Sequence, residues 1–430
     1  MSNKSKKRFS LIVALVLIVF VYLFDNIQYT FGRVPDEVTL LEEHRMRKKV
    51  NDPPALEQVK DTSHFFINTG FDPSLVDMKY GQVKITDRGK ILRLLQELEK
   101  YNNYREVFID IRFEEGASTE YDSLLVEQIL RMRNVFVAKH WNPDRANYKN
   151  SSDFPLIDDR LLDHAAYADY GSTLLDNSFI KYQYLQANGP SAALKLYEDT
   201  NEGGHRIRRF GCGFFSFYFD KWCLCFNSSF VRLDEDMSDW MYCLSRERFV
   251  NLGDGILGDW EVFPEYKDVF YSELRDKIII IGDFVSDMHD TYYKKQPGPY
   301  LTYLAYTMLR DRKHIVKPFV AIVVYLLYVL IFLLILHFEW PASGFTRRRS
   351  RFKDSIKYLF NRITQVKALR WIRKFKRLIR LSVSLFGYSA LFSMISLLFY
   401  VTLDVSLSVF IPSVVFSFTD YFYKYWSYEN

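Results

Sequence analysis

Phe319 to Phe338 is almost wholly apolar, and about 20 such residues in a helix are enough to cross a bilayer. A folded domain stops immediately before it. Ile278-Ile279-Ile280-Ile281, ending at Gly282-Asp283, is a β-branched run of the kind that forms a strand buried on both faces of a parallel sheet. A polar loop follows, through Asp287, His289, Asp290 and Thr291 to Pro297-Gly298-Pro299, and Tyr300 to Arg312 is predicted to be a helix. Strand, loop, helix and membrane segment stand in direct succession, so a change in the loop has a short path to the membrane.

Three further apolar stretches, residues 9–24, 382–401 and 403–420, bring the expected number of transmembrane helices to four. The first follows Lys4, Lys6, Lys7 and Arg8, a pattern shared by retained anchors and cleaved signal peptides. No Ala-x-Ala-like site follows it, which favours the anchor. Charge orients these segments. The chain carries +5 overall, yet 14 Lys or Arg stand against the single Asp354 between Thr346 and Arg380, and residues 25–317 are left net acidic. By the positive-inside rule, residues 1–8, the 339–381 loop and the tail 421–430 are cytoplasmic. The connector 25–62 and the domain 63–317 are then extracytoplasmic. All four cysteines, Cys212, Cys223, Cys225 and Cys243, fall in that part, where one or two disulfides are expected in an oxidising compartment. Cys223-x-Cys225 reads as strand alternation rather than a zinc pair, since no His neighbours it.

Within the domain, strand and helix signals alternate. Phe65-Phe66-Ile67 reads as a strand, Asp87 as the cap of a helix with Ile91, Leu94, Leu95 and Leu98 on one face, and Glu106 to Ile111 as a second strand. A helix over Tyr121 to Arg133 and a third strand over Val135 to Ala138 follow. The expected fold is α/β, with a central, mostly parallel sheet. Phe214 to Phe219 and Trp222 to Phe226 add a β-hairpin about Asp220-Lys221. Phe249-Val250 is a candidate further strand, Val38 to Val50 a short helix, Ala165 to Leu175 a loop, and His205 an exposed turn residue.

Ligands of parallel α/β sheets sit beyond the carboxyl ends of the strands. Those ends carry Asn68 and Asp72, then Asp110, then Asp283, Asp287, His289, Asp290 and Thr291. One reading is a polar ligand pocket, in which Asp283, Asp287 and Asp290 could hold a divalent cation. The other is that these groups cap helices and close turns. No Gly-x-Ser-x-Gly elbow, His-Glu-x-x-His pair or phosphate loop is present, so the domain is not expected to be an enzyme. In the basic loop, apolar residues recur every three or four positions between Ile356 and Ile379. Around them lie Arg347, Arg348, Arg349, Lys367, Arg370, Trp371, Arg373, Lys374, Lys376 and Arg377. That is an amphipathic cationic helix, suited to anionic lipid headgroups or to a partner protein.

The layout resembles the type 2 CHASE domain, an extracellular sensory module associated with bacterial cyclases and histidine kinases. The residues that carry the likeness are Val107-Phe-Ile-Asp110-Ile-Arg-Phe113 with Tyr121-Asp122-Ser-Leu124, then Arg275-Asp-Lys277-Ile-Ile-Ile-Ile-Gly282-Asp283, and Pro297-Gly298 with the helix running to His314-Ile-Val316. The resemblance implies an inner-membrane sensor with its bulk in the periplasm. Members usually carry a cytoplasmic output domain; here about ten residues follow the fourth segment, so a separate cytoplasmic output protein is the expected partner. The bilayer and a second copy in a homodimer complete the expected partners, and nucleic acid is not among them. The alternatives are a scaffold subunit of an envelope complex and, further off, a metal-dependent periplasmic hydrolase.

Overall fold

In the computed structural model, the described residues are 3–26, 37–51, 62–78, 81–113, 118–141, 153–169, 181–186, 189–201, 204–212, 215–238, 248–257, 265–338, 370–403, 405, 407 and 409–429. Two helices, α1 (Asn3–Asp25) and α2 (Glu37–Asn51), precede the α/β domain. The domain opens with β1 (His64–Asn68), β2 (Pro73–Met78), β3 (Gly81–Thr86), α3 (Arg88–Tyr101), β4 (Glu106–Asp110), α4 (Asp122–Arg131), β5 (Val135–Lys139) and β6 (Ala165–Tyr167). It continues through β7 (Lys181–Gln183), α5 (Ala192–Thr200), β8 (Ile207–Cys212), β9 (Phe215–Asp220), β10 (Cys223–Cys225), β11 (Ser228–Phe230) and β12 (Phe249–Asn251). Then come α6 (Glu265–Glu273), β13 (Ile278–Gly282), β14 (Met288–Asp290), β15 (Lys295–Pro297) and α7 (Gly298–Arg310). Three more helices, α8 (Pro318–Phe338), α9 (Arg370–Leu403) and α10 (Phe410–Glu429), complete the chain.

Six strands form one parallel sheet in the order β12-β1-β13-β4-β5-β6. The isoleucine run of β13 occupies an interior position, paired with β1 on one side and β4 on the other. Because successive side chains of a strand point to opposite faces, each strand feeds two cores. Phe66, Phe108, Phe136, Ile278 and Ile280 pack with α5 and α7 on one face. Ile67, Val107, Ile109, Val137, Ile279 and Ile281 pack with α3 and α4 on the other. Full burial of each such side chain stabilises by about 1.5–3 kcal/mol, which is why a strand with no polar face is stable only here. Asp87 caps α3 by accepting from the Lys90 N–H at 3.0 Å, as its sequence position predicts.

One local expectation needs correction, and the structure adds two features. Ala165–Tyr167 is the sixth strand of the sheet, not loop; its small residues give little strand signal, and pairing with β5 decides the matter. The β2–β3 hairpin was not anticipated. The predicted hairpin gains a third strand, β8, so β8-β9-β10 is a small antiparallel sheet beside the main one.

Among the described residues two helices, not four, are long and apolar enough to cross a membrane: Pro318–Leu336 and Leu381–Leu403. The apolar part of α1 is short and follows four basic residues, and α10 carries Asp420 and Lys424. Even so, α1, α8, α9 and α10 share one apolar core that includes Leu17, Phe332, Phe392 and Phe416. The four helices therefore form a bundle. Leu11, Ile12, Leu15 and Val16 of α1 and Phe386 and Met394 of α9 point outward from it.

The bundle has two distinct ends. Tyr22, near the close of α1, bonds β9 and β10, and Lys317 Nζ donates to the Leu403 carbonyl, so this end meets the α/β domain. At the far end Lys6 Nζ and the Tyr423 hydroxyl both donate to the Leu336 carbonyl. The basic start of α9 lies at that far end too. Arg370, Trp371, Arg373, Lys374, Lys376 and Arg377 belong to one uninterrupted helix with the apolar stretch after them, about 50 Å long in total. Residues 370–380 therefore extend the membrane helix instead of forming a separate one. Arg347, Arg348, Arg349 and Lys367 lie outside the described residues.

Candidate functional site at the strand ends

The chain leaves β1 and β4 toward the face covered by α3 and α4, but leaves β13 toward the face covered by α7. Neighbouring strands that send their chains to opposite faces open a crevice at the carboxyl edge of a parallel sheet. Asp110, the last residue of β4, forms its floor. It is 9 % exposed, and its Oδ2 makes no hydrogen bond among the described residues. Burial and then the nearby charge of Asp287 push this carboxyl up to about 8, aided by Asp169 and opposed by His140. At neutral pH Asp110 is thus a protonated acid, able to donate as well as accept.

Two walls rise from that floor. On one, His140 stands just past β5 and Asp169 just past β6, with His140 Nδ1 3.3 Å from Asp169 Oδ1. Asp169 Oδ2 also accepts from the Trp141 N–H at 2.7 Å. Burial lowers the His140 pKa, but the hydrogen bond and charge of Asp169 outweigh it and leave the imidazole above its ordinary value. On the other wall, Asp287 Oδ1 lies 3.1 Å from His289 Nε2. The Asp287 carbonyl accepts from the Gly298 N–H at 2.8 Å, joining this wall to the start of α7. A Cβ at position 298 would meet the Asp287 carboxylate, so a larger residue there would have to turn that half-exposed side chain aside. The rim is open while the floor is not: Asp287 and His289 side chains are 43 % and 32 % exposed.

The eight residues read from the sequence divide by role. Asp110, Asp287 and His289 line the crevice. Asn68 ties three strands together: its Oδ1 accepts from the Gly70 and Phe284 N–H groups, and its Nδ2 donates to Asn251 Oδ1 at 2.8 Å. Asp72 pairs with Lys90 at 2.6 Å and accepts from the Gly253 N–H. Asp283 folds back on its own loop, accepting from the Val285 and Ser286 N–H groups and the Ser286 hydroxyl. Asp290 is exposed beside Lys295, and Thr291 donates to the Lys294 carbonyl.

Of the two readings of these strand ends, the cation site of Asp283, Asp287 and Asp290 is not assembled among the described residues. Asp283 is engaged by its turn and Asp290 points to solvent. Among the described residues no three His, Cys, Asp or Glu are placed to hold a metal. His140 and Asp169 escaped sequence reasoning because their meeting depends on β6 pairing with β5. Cys223 and Cys225 are free thiols, exposed and buried respectively. Neither the Cys212 side chain nor Cys243 is among the described residues.

A second polar cluster lies where the domain meets the bundle. Asp220, 2 % exposed, accepts from the Tyr197 hydroxyl at 2.9 Å. His205 Nδ1 and His314 Nε2 each lie 3.1 Å from its carboxylate. Burial alone would raise the Asp220 pKa, but hydrogen bonds with His314, Tyr197 and His205 take it down to about 2. His205 is thus a buried member of a network, not the exposed turn residue its Gly-rich surroundings predict. His314 precedes α8 by four residues, and Arg312 reaches His205 Nε2 at 3.3 Å. Comparison with known proteins finds no family model, curated protein or solved structure that matches this chain.

Proposed function

We propose that the chain is a membrane-anchored sensor. Its α/β domain takes a small polar ligand at the strand-end crevice and passes the occupancy through α7 to α8 and the basic end of the bundle. The observation that carries this reading is Asp110, a buried, neutral acid at the switch point of the sheet whose Oδ2 has no hydrogen-bond partner among the described residues. Perturbed groups of this kind concentrate at functional sites. A hydrogen-bonding or cationic ligand entering between the walls would contact Asp287 and His289, and the Asp287 carbonyl already holds the first turn of α7. From there α7, buried over all but its last residue, leads through the Asp220–His314 cluster to Pro318. A ligand that prefers one arrangement of the 283–298 loop then shifts the population of the bundle.

Lysines and arginines at the far end support placing that end in the cytoplasm and the domain outside it. The likeness to type 2 CHASE domains is consistent with this role, and the output would run through a separate cytoplasmic protein. Two measurements test the reading. Enzyme reporters at positions 200 and 360 should report opposite sides of the membrane; the same side for both ends the proposal. Hydrogen exchange on the full chain carrying Asp287→Asn should change at 298–317 as well as at the loop. A change confined to the loop removes the transmission.

The His140–Asp169 pair beside a protonated Asp110 favours a second reading, acid–base chemistry at the same crevice. Turnover of generic ester or phosphate substrates that is lost in Asp110→Asn would establish it.

A further inference from the structure

The β8-β9-β10 sheet has one face in the domain core and one face outside it. Ile207, Tyr218, Asp220 and Cys225 are buried on the inner face. The outer face presents Arg206, Arg208, Phe210, Phe219 and Lys221, with Trp222 at the turn, around a groove of about 500 Å³. Trp222 is 97 % exposed and Phe210 56 %, and Phe210 packs edge-on against Phe219 at 5.5 Å. An aromatic cluster ringed by three cations and left in water is unusual for a soluble surface.

Where this face points is fixed by α1. Tyr22 stacks on Phe217 at 5.6 Å and meets Phe226 at 5.4 Å. Phe217 stands opposite Phe210 in the β8–β9 ladder and two residues from Phe219, so all three project from the outer face. The last turns of α1 therefore rest on the face that carries Arg206, Arg208 and Trp222. The opposite edge is anchored as well: the Val316 N–H donates to the Leu224 carbonyl at 2.9 Å, two residues before α8 begins.

We infer that this sheet lies on the bilayer from which α1 and α8 emerge, with Trp222 and Phe210 in the interfacial layer and Arg206, Arg208 and Lys221 on anionic headgroups. Tryptophan is favoured at that depth because its ring is amphipathic, and basic side chains there are attracted to phosphate-bearing lipids. The occupant of the face is thus the chain's own membrane, which the four-helix bundle brings within reach. This inference rests on the membrane reading above, but concerns a surface distinct from the crevice and from the basic end of the bundle.

The test uses the full chain in nanodiscs of phosphatidylcholine, alone or mixed equally with phosphatidylglycerol, with bromine-labelled acyl chains as the quencher. The chain contains seven tryptophans, so Trp222 is read as the difference between wild type and Trp222→Phe. The expected result is quenching of that difference signal in the anionic discs. Arg206→Gln/Arg208→Gln/Lys221→Gln should abolish it, since three cations shift such a surface equilibrium by on the order of a hundredfold. All four positions are exposed, so these variants keep the fold. A chain that enters the discs yet leaves Trp222 unquenched overturns the inference alone. A chain that does not enter them overturns the membrane reading and this inference with it. A blue-shifted but unquenched Trp222 assigns the face to a protein partner instead, and also overturns it.

Discussion

Asp110→Asn should make the protein more stable, and increasingly so as pH rises. The native carboxyl holds its proton up to about 8, whereas in the unfolded chain an aspartate ionises near 3.9. With its folded-state pKa raised, Asp110 has its full contribution to stability only below the unfolded value. That contribution falls between about pH 4 and pH 8 as the unfolded state ionises and the native state does not. The shift of roughly four units sets a ceiling of about 5 kcal/mol on the loss. Asparagine has nearly the same shape and never ionises, and its amide can donate toward Asp287. The expected gain over wild type is therefore small at pH 4 and about 2–4 kcal/mol at pH 9. For a domain of this size that corresponds to very roughly 4–16 °C in Tm. Thermal unfolding of both proteins in the same nanodiscs across that pH range measures it. A uniform loss of stability, or a difference that does not grow with pH, would refute the burial of a neutral acid at the switch point. A residue whose removal stabilises the fold is retained for something other than stability, which is the sense in which Asp110 marks the site.

Three further outcomes are expected. Asp220 has its pKa lowered to about 2, so it stabilises the fold above the unfolded value near 3.9 and loses that contribution as pH falls toward 2; Asp220→Asn should flatten acid unfolding in that window, followed by circular dichroism. Gly282→Ala puts a Cβ 2.5 Å from Pro299 Cγ and 3.2 Å from the Asp110 Cβ, and should cost about 1–3 kcal/mol in thermal unfolding by displacing the start of α7. Glu42 of α2 accepts from the Tyr400 hydroxyl of α9 at 2.7 Å and pairs with Arg45 at 2.7 Å and Arg232 at 3.4 Å. Glu42→Ala removes the acceptor of the buried Tyr400 hydroxyl and a carboxylate shared by Arg45 and Arg232, which are about a third exposed, at a cost of about 1–2 kcal/mol, and limited proteolysis should then cut between bundle and domain.

How far the sequence discloses the fold depends on which interactions decide each element. Ile278–Ile281 and Val107–Ile109 are apolar on both faces, and only an interior parallel strand buries both, so their place could be read directly. Ala165–Tyr167 is a strand only because β5 lies beside it; nothing within those three residues demands it. The same distinction governs the crevice. Asp110 ends β4 and Asp287 follows β13, strands whose apolar runs are legible in the sequence. His140 and Asp169 meet across β5 and β6, a pairing that local pattern does not contain. The basic starts of α1 and α9 lie at one end of the bundle, and among the described residues two helices, where four are expected, are long and apolar enough to span. α1 is held by packing against α8, with Leu17 and Phe332 in one core, a contact between segments about 300 residues apart in the sequence.

The two polar clusters gain meaning from what lies between them. Both the Asp110–Asp287 crevice and the Asp220–His205–His314 network are buried at their centres, and α7 runs from one to the other. A helix buried over twelve of its thirteen residues cannot bend to absorb a displacement; it moves as a body or not at all. If the Asp287 carbonyl releases or shifts the Gly298 N–H, the far end of α7 must move against Tyr197 and His314, where a carboxylate shared among three partners has alternative ways to be satisfied. That end leads through residues 311–317 into α8, while Glu42 fastens α9 through α2. The domain thus grips the bundle at several points: through the segment that leads into α8, through Tyr22 of α1, and through Glu42 to α9. A displacement of α7 then acts on α8 relative to α9, a shear within the bundle that a single attachment could not produce.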